Sequence, residues 1–118
     1  MKVEELQVYI LAKQIAVEIY RITKDFPKEE IYGLTSQIRR AVVSIGSNIT
    51  EGGYRFGGTE FRHFVSIARG SAGEVKFQLE LAEELGFITD KEKTKTIISK
   101  LEEITAKLGS LHRSLGKS

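Results

Sequence analysis

The sequence predicts an all-α protein that folds as an antiparallel, up-down-up-down four-helix bundle. Helix-breaking residues are sparse, with one proline and eleven glycines in 118 residues, whereas a β-sandwich needs a turn about every ten residues. Four long segments carry apolar residues every three or four positions, as one face of a helix does. The connections between them are short, which makes successive helices antiparallel neighbours. With 41% hydrophobic residues, the chain fits a single domain over residues 1–118.

The first two segments are predicted at residues 5–24 and 28–51. The first is apolar along two lines, one through Leu6 and Ala12 and a second through Val8 and Ile15. It ends before Pro27, because the residue before a proline disfavours the α conformation. The second segment runs into a glycine-rich stretch at residues 52–58, where we expect left-handed glycines to cap the helix.

The other two segments are predicted at residues 59–85 and 90–115. Thr59 is the expected N-cap of the third segment and Gly86 its C-cap. Thr89 and Glu92 have the spacing of a capping box ahead of the fourth segment. Apolar residues there alternate by four and three, which is typical of a bundle seam: Ile97, Leu101, Ile104, Leu108, Leu111 and Leu115.

The composition argues against an enzyme and against a metal or cofactor site. There is no cysteine, and the two histidines, His63 and His112, fall in different helices without a ligand-like spacing. The sequence has no phosphate loop or nucleophile elbow. No apolar run approaches the ~20 residues that cross a bilayer, and the N-terminus does not resemble a signal peptide. The expectation is a cytoplasmic protein without a cofactor and without a membrane partner.

The arginines are concentrated in the middle of the chain. Residues 31–73 contain five arginines, no lysine and only two acidic residues, Glu51 and Glu60. Arginine's planar fork pairs bidentately with phosphate, so this asymmetry predicts a surface that binds nucleic acid, RNA or DNA. The predicted binding residues are Arg39, Arg40, Arg55, Arg62 and Arg69. The alternative is a scaffold in which these arginines pair with Glu51, Glu60 and Glu74, within or between subunits.

Surplus apolar residues predict that the chain associates with copies of itself. A helix in a bundle needs one apolar stripe, and a second stripe usually marks an interface. The predicted interface residues are Val8, Ile15, Ile22, Ile67, Phe77 and Leu81. Small residues around Gly46 and at Gly70 and Gly73 predict close helix packing, since glycine inside a helix costs stability. Asn48 lies in the apolar stripe of its helix and needs a hydrogen-bonding partner.

Several motifs in fixed order resemble one bacterial family. They are the stretches at residues 32–41 (YGLTSQIRRA), 44–52 (SIGSNITEG) and 68–71 (ARGS), followed by Glu74. They are similar to the four-helix bundle proteins encoded in intervening sequences of 23S ribosomal RNA genes. The accessory variability determinant protein of diversity-generating retroelements is similar as well. The resemblance implies a homopentameric ring, and its retroelement member implies nucleic-acid binding. Arg39, Arg40 and Arg69 match the family pattern.

Overall fold

The computed structural model describes residues 2–116, which form four α-helices and one short 3₁₀ turn. The helices are α1 (Val3–Thr23), α2 (Leu34–Gly53), α3 (Gly58–Glu84) and α4 (Lys91–Leu115). The 3₁₀ turn (Lys28–Glu30) lies between α1 and α2. This arrangement confirms the predicted all-α four-helix bundle.

The helices pack in a square. Helix α1 packs against α2 and α4, and α3 packs against the same two helices from the opposite corner. Cross-helix contacts show the antiparallel order of α3 and α4, because Arg62 lies beside Gly116, whereas Arg69, further along α3, lies beside Gly109, earlier in α4. Arg39 of α2 contacts Thr23 of α1, and Arg69 of α3 contacts Thr105 of α4. The buried apolar side chains of all four helices form one core.

The line through Leu6 and Ala12, predicted as the core face of α1, is confirmed in part, since Ala12 and Thr23 are 1% and 2% exposed. Val8, Ile15 and Ile22, predicted as interface residues, are 1%, 0% and 8% exposed and belong to the core. Leu6, predicted as core, is 46% exposed. Because α1 packs against two neighbouring helices, it needs a wide apolar face, and the second line of apolar residues completes that face.

The outward side of α1 is also apolar. Five side chains spaced at three, four or seven residues along the helix remain 42–68% exposed. We call them the outer α1 stripe: Val3, Leu6, Ile10, Val17 and Tyr20. The sequence therefore predicted an unpaired apolar face on this helix, but placed it on the wrong residues.

Helix α2 begins six residues later than predicted. The segment after Pro27 forms the 3₁₀ turn, and the backbone at Gly33 leaves the helical region with φ −112° and ψ −118°. The Glu30 carboxylate accepts a hydrogen bond from the backbone N–H of Leu34 at 3.0 Å. This bond satisfies one of the donors that the first turn of a helix leaves unpaired.

Two predicted helix starts are corrected by one or two residues. Helix α3 has Gly57 at its N-cap, so Thr59 lies inside the first turn. Helix α4 is capped by Asp90, whose carboxylate accepts a hydrogen bond from Lys93 N at 3.1 Å. Asp90 and Thr89 are both good N-cap residues, and the sequence alone did not separate them.

A glycine in the left-handed conformation follows α3 as predicted, but none follows α2. Gly86 has a φ of 79°, in the left-handed region, directly after the C-cap of α3. No other residue between 2 and 116 has a positive φ, so the stretch at residues 52–58 turns without one. Gly52 serves close packing instead, since a β-carbon there would lie 2.7 Å from Cδ1 of Phe61.

Candidate nucleic-acid interface

Arg39 is half-buried and joins α2 to α1. Its Nε donates a hydrogen bond to Thr23 Oγ1 at 2.8 Å, and its guanidinium lies 4.7 Å from the ring centroid of Tyr20. The Thr23 hydroxyl donates in turn to the carbonyl of Ile19 at 2.7 Å. Arg39 thus contacts uncharged groups of its own chain, and these contacts orient it along the α1–α2 groove.

Arg40 is exposed beside an open depression on the outer face of α2. Tyr20 of α1 and the polar side chains of Ser36, Ser44 and Ser47 also line this depression. Arg40 has no carboxylate partner among the described residues. Its guanidinium is available to a ligand from solution.

A short polar network connects α2 to α3 at the edge of that depression. Asn48 Nδ2 donates to the carbonyl and to the hydroxyl of Ser44 at 2.8 and 2.9 Å. The hydroxyls of Ser44 and Ser71 lie 2.9 Å apart and share a hydrogen bond. The prediction that Asn48 needs a partner is confirmed, and the partner is Ser44.

Arg55 is the predicted binding residue that pairs with carboxylates. It forms ion pairs with Glu51 and, at 3.8 Å, with Glu60, and its guanidinium lies 5.1 Å from the ring centroid of Phe64. These contacts connect the end of α2 to the first turn of α3. They place Arg55 in the role that the scaffold alternative predicts.

Arg62 and Arg69 are exposed on α3 and lie across α4. Arg69 Nε donates to the backbone carbonyl of Thr105 at 3.3 Å and covers Gly109, which is buried beneath it. Arg62 lies over Gly116, where a β-carbon would be 3.1 Å from its Nε. The two glycines are seven residues apart, as the two arginines are, so the same face of each helix meets the other.

A third arginine on this face was not predicted. Arg113 of α4 is exposed, and its Nη1 lies 3.6 Å from the point where a β-carbon of Gly109 would sit. Arg69 Nε lies 3.4 Å from the same point. Arg113 lies outside the arginine-rich stretch of the sequence. Its spacing of four residues from Gly109 and three from Gly116 places all three residues on one face of α4, and this spacing could have indicated its position. We call Arg62, Arg69 and Arg113 the α4 arginine cluster.

The arginines do not form the single surface that we expected. Arg39 lies in the α1–α2 groove, whereas the α4 arginine cluster lies on the α3–α4 side, which is the opposite side of the square. The expected pairing with Glu74 is not found either. Of the five predicted arginines, only Arg55 has a carboxylate partner within residues 2–116.

The remaining predicted interface residues differ in exposure. Ile67 and Phe77 on α3 are 40% and 65% exposed, whereas Leu81 is half-buried against the core. Gly70 and Gly73 also face outward, with no atom of another described element within 4 Å of where a β-carbon would sit. The predicted close packing is therefore wrong for these two glycines within one subunit.

The described residues contain neither a metal-binding group nor a membrane-length helix. Between residues 2 and 116, no three histidine, aspartate or glutamate side chains are grouped so that they could hold a metal ion. In that same range, no helix is long and apolar enough to span a membrane.

Comparison with known proteins points to one family. The sequence model of the 23S rRNA-intervening sequence protein family matches residues 4–110. A crystal structure of a protein of unknown function, from the S23 ribosomal protein family of Bacteroides thetaiotaomicron, has a similar fold. It is 26% identical, with a TM-score of 0.83, and the match covers 93% of this chain and 98% of that one. No curated protein matches the sequence.

Proposed function

Because the chain belongs to the 23S rRNA-intervening sequence protein family, we propose that it is a non-enzymatic, cytoplasmic bundle protein that binds RNA through exposed arginines. One observation carries the proposal. Arg40, Arg62 and Arg69 are exposed and have no carboxylate partner within residues 2–116. Unpaired guanidinium groups on a surface are suited to phosphate, which they can bind bidentately.

Self-assembly is the second part of the proposal. The outer α1 stripe is an exposed apolar face without a partner in the subunit, interrupted by the exposed Lys13 and Gln14 between Ile10 and Val17, and a second copy would cover it. The family resemblance supplies the expected number of subunits, five. A ring repeats the arginines around its axis, so a long polyanion can meet several copies, and multivalency raises avidity by a factor of roughly 10² or more.

The alternative function is a structural or protein-interaction scaffold. Arg55 favours it, because both of its ion pairs connect elements of the fold. Arg39 favours it as well, because its Nε is bonded to Thr23. Neither observation applies to Arg40 or Arg62. Arg69 uses only its Nε, in a bond to the backbone carbonyl of Thr105, and its terminal nitrogens stay free within residues 2–116, so we place RNA binding first.

The test is charge reversal at two exposed arginines. Arg40→Glu and Arg69→Glu should each weaken the binding of a labelled single-stranded RNA at least fivefold, measured by fluorescence anisotropy at low salt. Single- and double-stranded probes of different sequence should respond alike, because phosphate contacts carry no sequence information. Arg21→Glu is the matched control, since Arg21 is an exposed arginine of α1 that pairs with Glu18.

Circular dichroism and light scattering on the same variants separate the two functions. The RNA-binding function predicts that the variants lose affinity for RNA while their helicity and particle size stay unchanged. If a variant unfolds or changes its oligomeric state, that arginine is structural and the scaffold function is favoured. If the wild-type protein retains no nucleic acid even at low salt, the proposal of RNA binding is wrong.

A further inference from the structure

We propose that the α4 arginine cluster is a built binding site for consecutive phosphates of an RNA backbone, and that Arg113 is part of it. This inference rests on the proposed function and assigns it to one face of the molecule. Two guanidinium groups reach the space above Gly109. Arg69 Nε lies 3.4 Å and Arg113 Nη1 lies 3.6 Å from the point where a β-carbon of Gly109 would sit. The two nitrogens are therefore no further apart than the sum of these two distances.

The surroundings of the cluster are positive. Neither residues 61–73 of α3 nor residues 104–116 of α4 include an acidic side chain. Two of the flanking carboxylates are engaged elsewhere, since Glu60 pairs with Arg55 and Glu103 pairs with Lys107, whereas Glu74 forms no ion pair among the described residues. Like charges held this close repel, and a phosphate placed between them would relieve that repulsion.

Most of the hydrogen-bond donors in the cluster are unused. A guanidinium has five N–H donors, and Arg69 uses only Nε within residues 2–116. Neither the Arg62 nor the Arg113 side chain makes a hydrogen bond to another residue in that range. These exposed terminal nitrogens have the geometry that binds phosphate oxygens in pairs.

The dipole of α4 does not account for the arrangement. Attraction between a cation and the C-terminal end of a helix falls off within the last turn. Arg62 lies near that end, but Arg69 lies over Thr105 and Gly109, six or more residues before Leu115 ends the helix. The cluster therefore spans about two turns, close to 10 Å, which is long enough for more than one phosphate.

A residue larger than alanine at Gly109 would disturb the proposed site, although a β-carbon alone would fit in ordinary contact, 3.4 Å from Arg69 Nε and 3.6 Å from Arg113 Nη1. The missing side chain of Gly109 leaves the space that Arg69 occupies against the α4 backbone, although glycine is a poor helix former. A side chain larger than that of alanine would push Arg69 and Arg113 outward and apart. Gly109→Leu thus disrupts the proposed site without altering the net charge of the protein.

The experiment compares Arg113→Glu, Gly109→Leu and the control Arg21→Glu in the full-length protein, with labelled single-stranded RNA as the probe. Arg113→Glu should weaken binding about tenfold and make the slope of log K against log salt less steep by about 0.7. Gly109→Leu should weaken binding at least threefold, whereas Arg21→Glu should stay within twofold of the wild type. Urea unfolding of each variant checks that the fold is intact.

The outcomes distinguish this inference from the proposed function. If the wild type binds RNA but Arg113→Glu behaves like Arg21→Glu, the site is wrong and the proposed function stands. If Arg113→Glu weakens binding and a folded Gly109→Leu protein does not, binding follows net charge and the built site is wrong. If the wild type does not bind RNA, both are wrong.

Discussion

At the scale of single residues, the neighbours of each arginine decide its role. Arg55 is paired with two carboxylates and Arg39 is bonded to a buried threonine, so both contribute to the fold. Arg40 and Arg113 have no such partner within residues 2–116 and offer their donors to solution. The sequence predicted the arginine-rich region, but not these differences, because they depend on contacts between residues far apart in the chain.

One buried amide gives a prediction about stability. Gln78 is 5% exposed, and its Oε1 has no hydrogen-bond partner among the described residues. An unsatisfied buried acceptor costs about 1–3 kcal/mol, and methionine has a similar shape without the polar atoms. Gln78→Met should raise the free energy of unfolding by about 1 kcal/mol, measured by urea denaturation. A loss of stability would mean that the amide has a partner, such as a second subunit.

At the scale of helices, the apolar pattern predicts the buried face best in a helix that has one clearly polar side. The predicted core stripe of α4 is confirmed from Ile97 to Leu111. Helix α1 is apolar nearly all round, so its period did not show which line faces inward. The start of α2 was missed because Glu30 and Gly33 act through side-chain and backbone geometry rather than periodicity.

Two glycines in helices should respond to alanine in opposite ways. At Gly73 a β-carbon meets open space within the subunit, so Gly73→Ala should stabilise α3 by about 0.5–1 kcal/mol through helix propensity. At Gly52 a β-carbon would lie 2.7 Å from Phe61 Cδ1 and 2.8 Å from Phe64 Cβ. Gly52→Ala should therefore destabilise the protein by about 1–3 kcal/mol.

Thermal and urea unfolding of both alanine variants check this contrast. Equal effects of the two substitutions would contradict the packing described for the α2–α3 turn. If Gly73→Ala lowers stability in an assembled protein, the glycine faces a neighbouring subunit, which would agree with the original expectation of a close approach at this position.

At the scale of the whole molecule, two neighbouring residues of α1 should separate assembly from folding. Ile10 is 46% exposed in the outer α1 stripe, whereas Val8 is 1% exposed in the core. Ile10→Asp should dissociate the oligomer to a folded subunit near 13.2 kDa, because a carboxylate disfavours an apolar interface. Val8→Asp should unfold the bundle, because it buries an unpaired charge.

Light scattering and circular dichroism provide the readouts for this pair. A wild-type protein that is monomeric at micromolar concentration would contradict self-assembly. If Ile10→Asp leaves the particle mass unchanged while the wild type is oligomeric, the interface lies elsewhere, and the exposed Ile67 and Phe77 of α3 become the next residues to test.

The central claim is that unpaired arginines of this bundle bind the phosphates of RNA. The most direct test is the affinity of the wild-type protein for a single-stranded RNA as a function of salt concentration. Each phosphate contact on a single strand contributes about −0.7 to the slope of log K against log salt. Three arginines acting together predict a slope steeper than about −2. A slope near zero, or no binding at low salt, would contradict the claim.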